Sequence, residues 1–169
     1  MTRGDALRVF TRMMFGFRSL YVPLLGLVGV SLAGCDAPLS PSELLVLAQA
    51  EARWAARSFQ DYAIEMREGC FCPPEVTQWA RVEVRAGRVN RVILVETGVD
   101  VPPDKLAYFH TVEQVFNSIH QANHDDWLAD VVAEYDPVLG FPIQVDFVPK
   151  RGILDAGSSF SLRNAGPVP

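Results

Sequence analysis

The sequence predicts a single α+β domain, with two helices packed on one face of an antiparallel sheet in the order α-β-β-β-α-β-β-β. Three observations carry that prediction. Two segments open on capping boxes and continue with apolar residues at helical spacing, one from Ser40 and one from Thr111. Several segments alternate apolar and polar residues with period two. Glycine turns at Gly87 and Gly140 fall between such runs, where hairpins need them.

The elements follow in order. Ser40 caps, Pro41 suits the first helical position and Glu43 completes the box, so a helix runs from 41 to about 57 through Leu44, Leu47, Ala48, Ala52 and Ala55. Tyr62, Ile64 and Met66 alternate with Ala63, Glu65 and Arg67. Ala80, Val82 and Val84 alternate with Arg81, Glu83 and Arg85, and a turn at Ala86-Gly87-Arg88 leads into another β-rich run. Val101-Pro102-Pro103-Asp104 reads as a loop. The second helix starts at Thr111, with Gln114 in the box position, and ends near Asn123; Val112, Val115, Phe116 and Ile119 form its apolar face. Val131, Ala133 and Tyr135 then lead to the turn Asp136–Gly140, and Phe141, Ile143, Val145 and Phe147 return on the core side. Pro142 has no N–H for a ladder and belongs at a strand start or an edge. A short last strand holds Phe160 and Leu162, and residues 164–169 read as a loose tail, which places the domain at 41–163.

Residues 1–34 have the parts of a secretory signal. Arg3, Arg8, Arg12 and Arg18 precede an apolar run from Leu20 to Val30, and small residues follow. Pro23, Gly26 and Gly29 interrupt the run, which is shorter than the ~20 residues of a membrane span. Met1, Met13 and Met14 are all candidate starts. Leu32-Ala33-Gly34-Cys35 resembles the lipobox of bacterial lipoproteins. The resemblance implies cleavage before Cys35, a diacylglycerol on its thiol and an acylated amine, which together hold a protein firmly to a bilayer. Residues 35–40 are then a lipidated tether, and the expected location is the exported, periplasmic side of a bacterial membrane. Asp36 resembles a signal for retention at the inner membrane.

The chain has 15 basic and 20 acidic residues; loss of four arginines and Asp5 with the leader takes its net charge from −5 to about −8. Such a surface repels phosphate backbones, so nucleic-acid binding is not expected. No phosphate loop, dinucleotide fingerprint or nucleophile elbow appears, so neither an enzyme nor a cofactor protein is expected.

Cys70-Phe71-Cys72 is the most distinctive feature after the leader. With Cys35 lipidated, these are the two remaining cysteines, an even number in an oxidising compartment. Gly69 and Pro73-Pro74 supply the bend that a disulfide between positions i and i+2 needs, and a local disulfide is the leading reading. A redox pair and a metal pair are the alternatives; the second has no further ligand pair in the sequence. His120 and His124, near Asp125 and Asp126, fit a polar helix end better than a metal site. Trp127, Tyr135 and Phe141 fit sheet packing better than a binding edge.

Taken together, Asp61-Tyr62, Cys70-Phe71-Cys72-Pro73, the hairpin about Gly87, Thr111 to Ile119, Glu134-Tyr135, Gly140-Phe141-Pro142 and Asp146 resemble an uncharacterised domain family of bacterial envelope proteins, over about residues 50–162. The resemblance implies a fold and a compartment and no activity. The expectation is therefore a membrane-anchored, non-catalytic binding or accessory module with an envelope protein as partner. The alternatives are a thiol-redox or metal protein built on Cys70 and Cys72, and a periplasmic hydrolase inhibitor.

Overall fold

A computed structural model describes residues 37–153 and 157–168. The leader, the lipobox with Cys35, and Asp36 lie outside the described residues. The element order is α1 (Pro41–Ala55), β1 (Tyr62–Gly69), α2 (Pro74–Thr77), β2 (Ala80–Arg85), β3 (Arg88–Leu94), a 3-10 helix (Pro103–Tyr108), α3 (Val112–Ala122), β4 (Leu128–Tyr135), β5 (Pro142–Pro149) and β6 (Ser158–Pro167). The strands form one antiparallel sheet in the order β3-β2-β1-β6-β5-β4, so the α+β class and the order of the main elements are as predicted.

Both capping boxes are formed. Ser40 accepts from Glu43 N–H while Glu43 accepts from Ser40 N–H, and Thr111 and Gln114 repeat the exchange at α3. α1 buries Leu47, Ala50 and Trp54; α3 buries Val112, Val115, Phe116, Ile119 and Ala122. Both lie over the sheet face that carries Tyr62, since the Trp54 ring is 5.0 Å from the Tyr62 ring and Val112 N–H donates to Tyr62 Oη. Ile64, Met66, Val82, Val84, Val145 and Leu162 complete the core beneath them. Each fully buried aliphatic side chain of this kind contributes about 1.5–3 kcal/mol.

Four readings are corrected. The first helix ends at Ala55, capped by Ala56, and not near 57. The segment read as a loop at Val101–Asp104 runs into the 3-10 helix, whose Lys105 pairs with Glu75 of α2. Residues 35–40 are not tether throughout, because Leu39 is buried and its N–H donates to Asn123 Oδ1 at the end of α3. The largest correction concerns residues 164–169, read as a loose tail. β6 continues to Pro167, with Gly166 opposite Ala63 and Pro167 opposite Tyr62. Asn164 takes a left-handed conformation (φ 56°), which asparagine tolerates, where the β1 register shifts between Ala63 and Glu65. The turn signals in Asn164-Ala165-Gly166-Pro167 therefore mark an irregular strand and not its end.

The motif Gly140-Phe141-Pro142 acquires a physical reason. Gly140 has φ +84°, and a Cβ there would overlap the Ala50 carbonyl oxygen of α1. Phe141 is buried with its ring 6.2 Å from Trp54, and Pro142 opens β5. The motif is the seat on which α1 rests.

Candidate functional site

β1 leaves the sheet at Gly69, paired with Ser159 of β6. A Cβ at Gly69 would meet Ser159 Oγ, so a larger residue there would turn the Ser159 hydroxyl aside. The chain then turns through Cys70-Phe71-Cys72 and is redirected by Pro73 into α2. The two sulfurs are in disulfide contact, with Cα atoms 5.2 Å apart, inside the range such a bond requires. Both cysteines are half-buried, whereas the Phe71 side chain between them is fully exposed, at 103%.

Beside this turn the structure adds two residues that the sequence did not single out. Glu68 Oε1 lies 2.7 Å from His110 Nδ1, and Glu68 Oε2 lies 3.7 Å from Cys70 Sγ. Glu68 is in phase with Tyr62, Ile64 and Met66, so a carboxylate falls where the strand faces inward. That phase was the available signal. His110 comes from the far side of the chain, held just before the Thr111 cap with its ring against Phe160 at 5.3 Å. A polar groove of about 360 Å³ runs from Glu68 and Cys70 past Gly69 and Ser159 to Ser161 and Gln144. Its far wall is internally satisfied: Ser161 Oγ donates to Gln144 Oε1 at 2.8 Å, and Gln144 Nε2 donates to Asp146.

Arg67 and Arg163 stack on Trp79, 4.9 and 3.9 Å from its ring centre, and Arg163 Nε donates to Glu65 at 2.7 Å. These contacts lie on the solvated side of the sheet, where they are worth little in stability.

A second carboxylate has a structural task. Glu113, in the first turn of α3, accepts from Trp54 Nε1 (2.8 Å), Tyr62 Oη (2.7 Å) and Arg57 (3.0 Å). Burial pulls its carboxyl upward, but the hydrogen bonds from Tyr62, Trp54 and its own backbone N–H, with the Arg57 charge, together hold it below the usual carboxylate value.

The histidines and aromatic residues weighed above against a site role have structural contacts. His120 Nε2 lies 2.8 Å from Glu51, so it ties α3 to α1. Phe141 is buried and Tyr135 stacks on Phe116 of α3 with centroids 6.2 Å apart, which is core packing, whereas Trp127 is exposed in the turn before β4.

Two layers, an open six-stranded antiparallel sheet and a helical cover, with a cysteine turn at the end of the first strand, define an α+β domain of the helix-on-sheet class. The chain belongs to a family of unknown function, DUF6174, whose model matches residues 46–167. No curated protein and no solved structure matches it. Among the described residues no helix is long and apolar enough to cross a membrane.

Proposed function

We propose that this protein is an accessory module on the exported side of a bacterial envelope, held to the membrane by lipid on Cys35, that acts by binding a partner protein and not by catalysis. The observation that supports it is Phe71. A fully exposed phenylalanine closed into a three-residue disulfide turn is an unusual expenditure, since so short a loop adds little to the stability of the fold. The bond instead fixes the chain around an aromatic side chain, and preorganised aromatic anchors dominate binding energy at interfaces. The same rigid projection suits an inhibitor that places one side chain in the cleft of an envelope hydrolase. Glu68 and His110 favour a second reading, in which the cysteines are themselves the working groups; it is developed below.

Two expected results test the proposal. Cys35→Ser removes the lipidated thiol and should move the protein from the membrane to the soluble fraction; retention in the membrane would refute the anchor. A photo-crosslinking amino acid at position 71 should give a discrete adduct in intact cells, absent when it stands at Arg91 on β3. Phe71→Ala should weaken capture of that same partner at least about tenfold, with unchanged melting. Equal adducts at both positions, or undiminished capture by Phe71→Ala, would refute Phe71 as the anchor.

A further inference from the structure

Glu68, Cys70 and Cys72 each place one ligand atom within 4.8 Å of the other two, and among the described residues this is the group of metal-ligating side chains that meets that spacing. The set mixes two sulfurs with a carboxylate, and His110 holds the second Glu68 oxygen. All of these residues are partly buried, with side-chain exposures of 13% for Glu68 and 34% for His110, so an ion placed here would be partly shielded from water. In the oxidised state the sulfurs are bonded to each other and provide no thiolate.

We propose that Cys70, Cys72 and Glu68 form a zinc-class metal site that opens when the disulfide is reduced. The donor set is chemically suited to it: zinc accepts thiolate, carboxylate and imidazole ligands together, whereas Cu(I) favours sulfur alone. Zinc–sulfur bonds of about 2.3 Å in a tetrahedron separate the two sulfurs by about 3.8 Å. With Cα atoms 5.2 Å apart in a turn of three residues, rotation about the cysteine side-chain bonds supplies that separation and leaves the sheet undisturbed. Glu68 has a clear part in this. Its Oε2 lies 3.7 Å from Cys70 Sγ, so it can complete the donor set with a hard oxygen that balances the charge of a divalent ion. His110 is a positioning residue, aiming the carboxylate from its other oxygen.

The gate is ordinary exchange chemistry. An external dithiol attacks the Cys70–Cys72 bond and leaves as a cyclic disulfide, so two electrons and two protons pass to the cysteine sulfurs. Zinc then displaces one proton from each thiol to solvent and ties the same turn that the disulfide tied. Phe71 would thus be fixed by either bond and loosened in the reduced, metal-free state. The site goes beyond the binding role proposed above, and its test uses no partner protein.

The test uses the full chain carrying Cys35→Ser, which leaves Cys70 and Cys72 as the only cysteines. The protein is reduced with excess dithiol, desalted without oxygen and titrated with Co(II), then with Zn(II). The reduced protein should show thiolate-to-cobalt absorption that saturates at about one equivalent and is abolished by zinc; the oxidised protein should show none. Glu68→Gln should weaken cobalt binding at least about tenfold, and His110→Ala, which leaves all three ligands in place, by about tenfold. Folding of both variants is checked by circular dichroism in the oxidised state. Absence of the absorption in the reduced protein would overturn the site. Binding of equal strength in the parent and in every folded variant would also overturn it, because a flexible dithiol would then hold the ion alone.

Discussion

Replacing Gly140 with alanine is expected to destabilise the domain by about 3–4 kcal/mol, several times the cost of the same change at Gly87. Both glycines have positive φ, +84° and +72°, and both open hairpin returns. They differ in what surrounds them. A Cβ at Gly87 meets nothing within 4 Å, so Gly87→Ala carries only the left-handed backbone penalty of about 1 kcal/mol. A Cβ at Gly140 overlaps the Ala50 carbonyl oxygen and comes within 2.8 Å of Arg53 Cβ, both backed by the body of α1. Helix backbone does not yield as a surface side chain does, so the helix must lift off the Trp54–Phe141 contact. Urea denaturation of the two variants measures the difference. Equal losses would show that the approach of α1 is not set at Gly140.

Removal of the Glu113 carboxylate is expected to cost about 2–4 kcal/mol. One side chain accepts three donors from α1, β1 and the segment that joins them, so a single truncation unsatisfies Trp54 Nε1, Tyr62 Oη and Arg57 together. Arg57 suffers most. Its side chain is only 9% exposed, its guanidinium sits 4.1 Å from the Trp54 ring centre, and the Trp54 carbonyl would be its remaining acceptor. Burial and the nearby Glu113 charge push the Tyr62 hydroxyl far above the usual phenol value, so it remains a donor at any working pH. The acid dependence follows. The Glu113 carboxyl titrates below its ordinary value of 4.5 in the folded protein, so its contribution is complete above that value and is lost as pH falls through the lower, folded one. Stability measured between about pH 5 and pH 2 should fall more steeply for the parent than for Glu113→Gln. Matching slopes would remove Glu113 from the acid response.

How much of this was legible beforehand depended on the range of each interaction. The capping boxes at Ser40 and Thr111 are written in four consecutive residues, and the structure forms both. Strand alternation and the turns at Gly87 and Gly140 are equally local. Strand order is not, because the β1–β6 pairing joins residues about a hundred positions apart and leaves no periodic trace in either. The candidate site divides in the same way. Cys70 and Cys72 declare themselves by spacing; Glu68 left only its in-phase position as a signal and was missed, and His110 reaches it across 42 positions that only the fold closes. Glu113 was hidden for the opposite reason: an acidic residue in the first turn of a helix is so common that nothing marked it as the acceptor of three donors.

The place of β6 has a kinetic consequence. It follows every other described strand in the sequence and yet lies between β1 and β5, in the middle of the sheet. The meander β1-β2-β3 and the hairpin β4-β5 can each assemble from near neighbours within microseconds to milliseconds. Until residues 158–167 arrive, these are two separate half-sheets, each with a long unpaired edge, on β1 and on β5. The last strand is a keystone: the two half-sheets form one sheet through its pairing with β1 and β5, and the β1–β6 pairing closes the longest stretch of chain in that sheet.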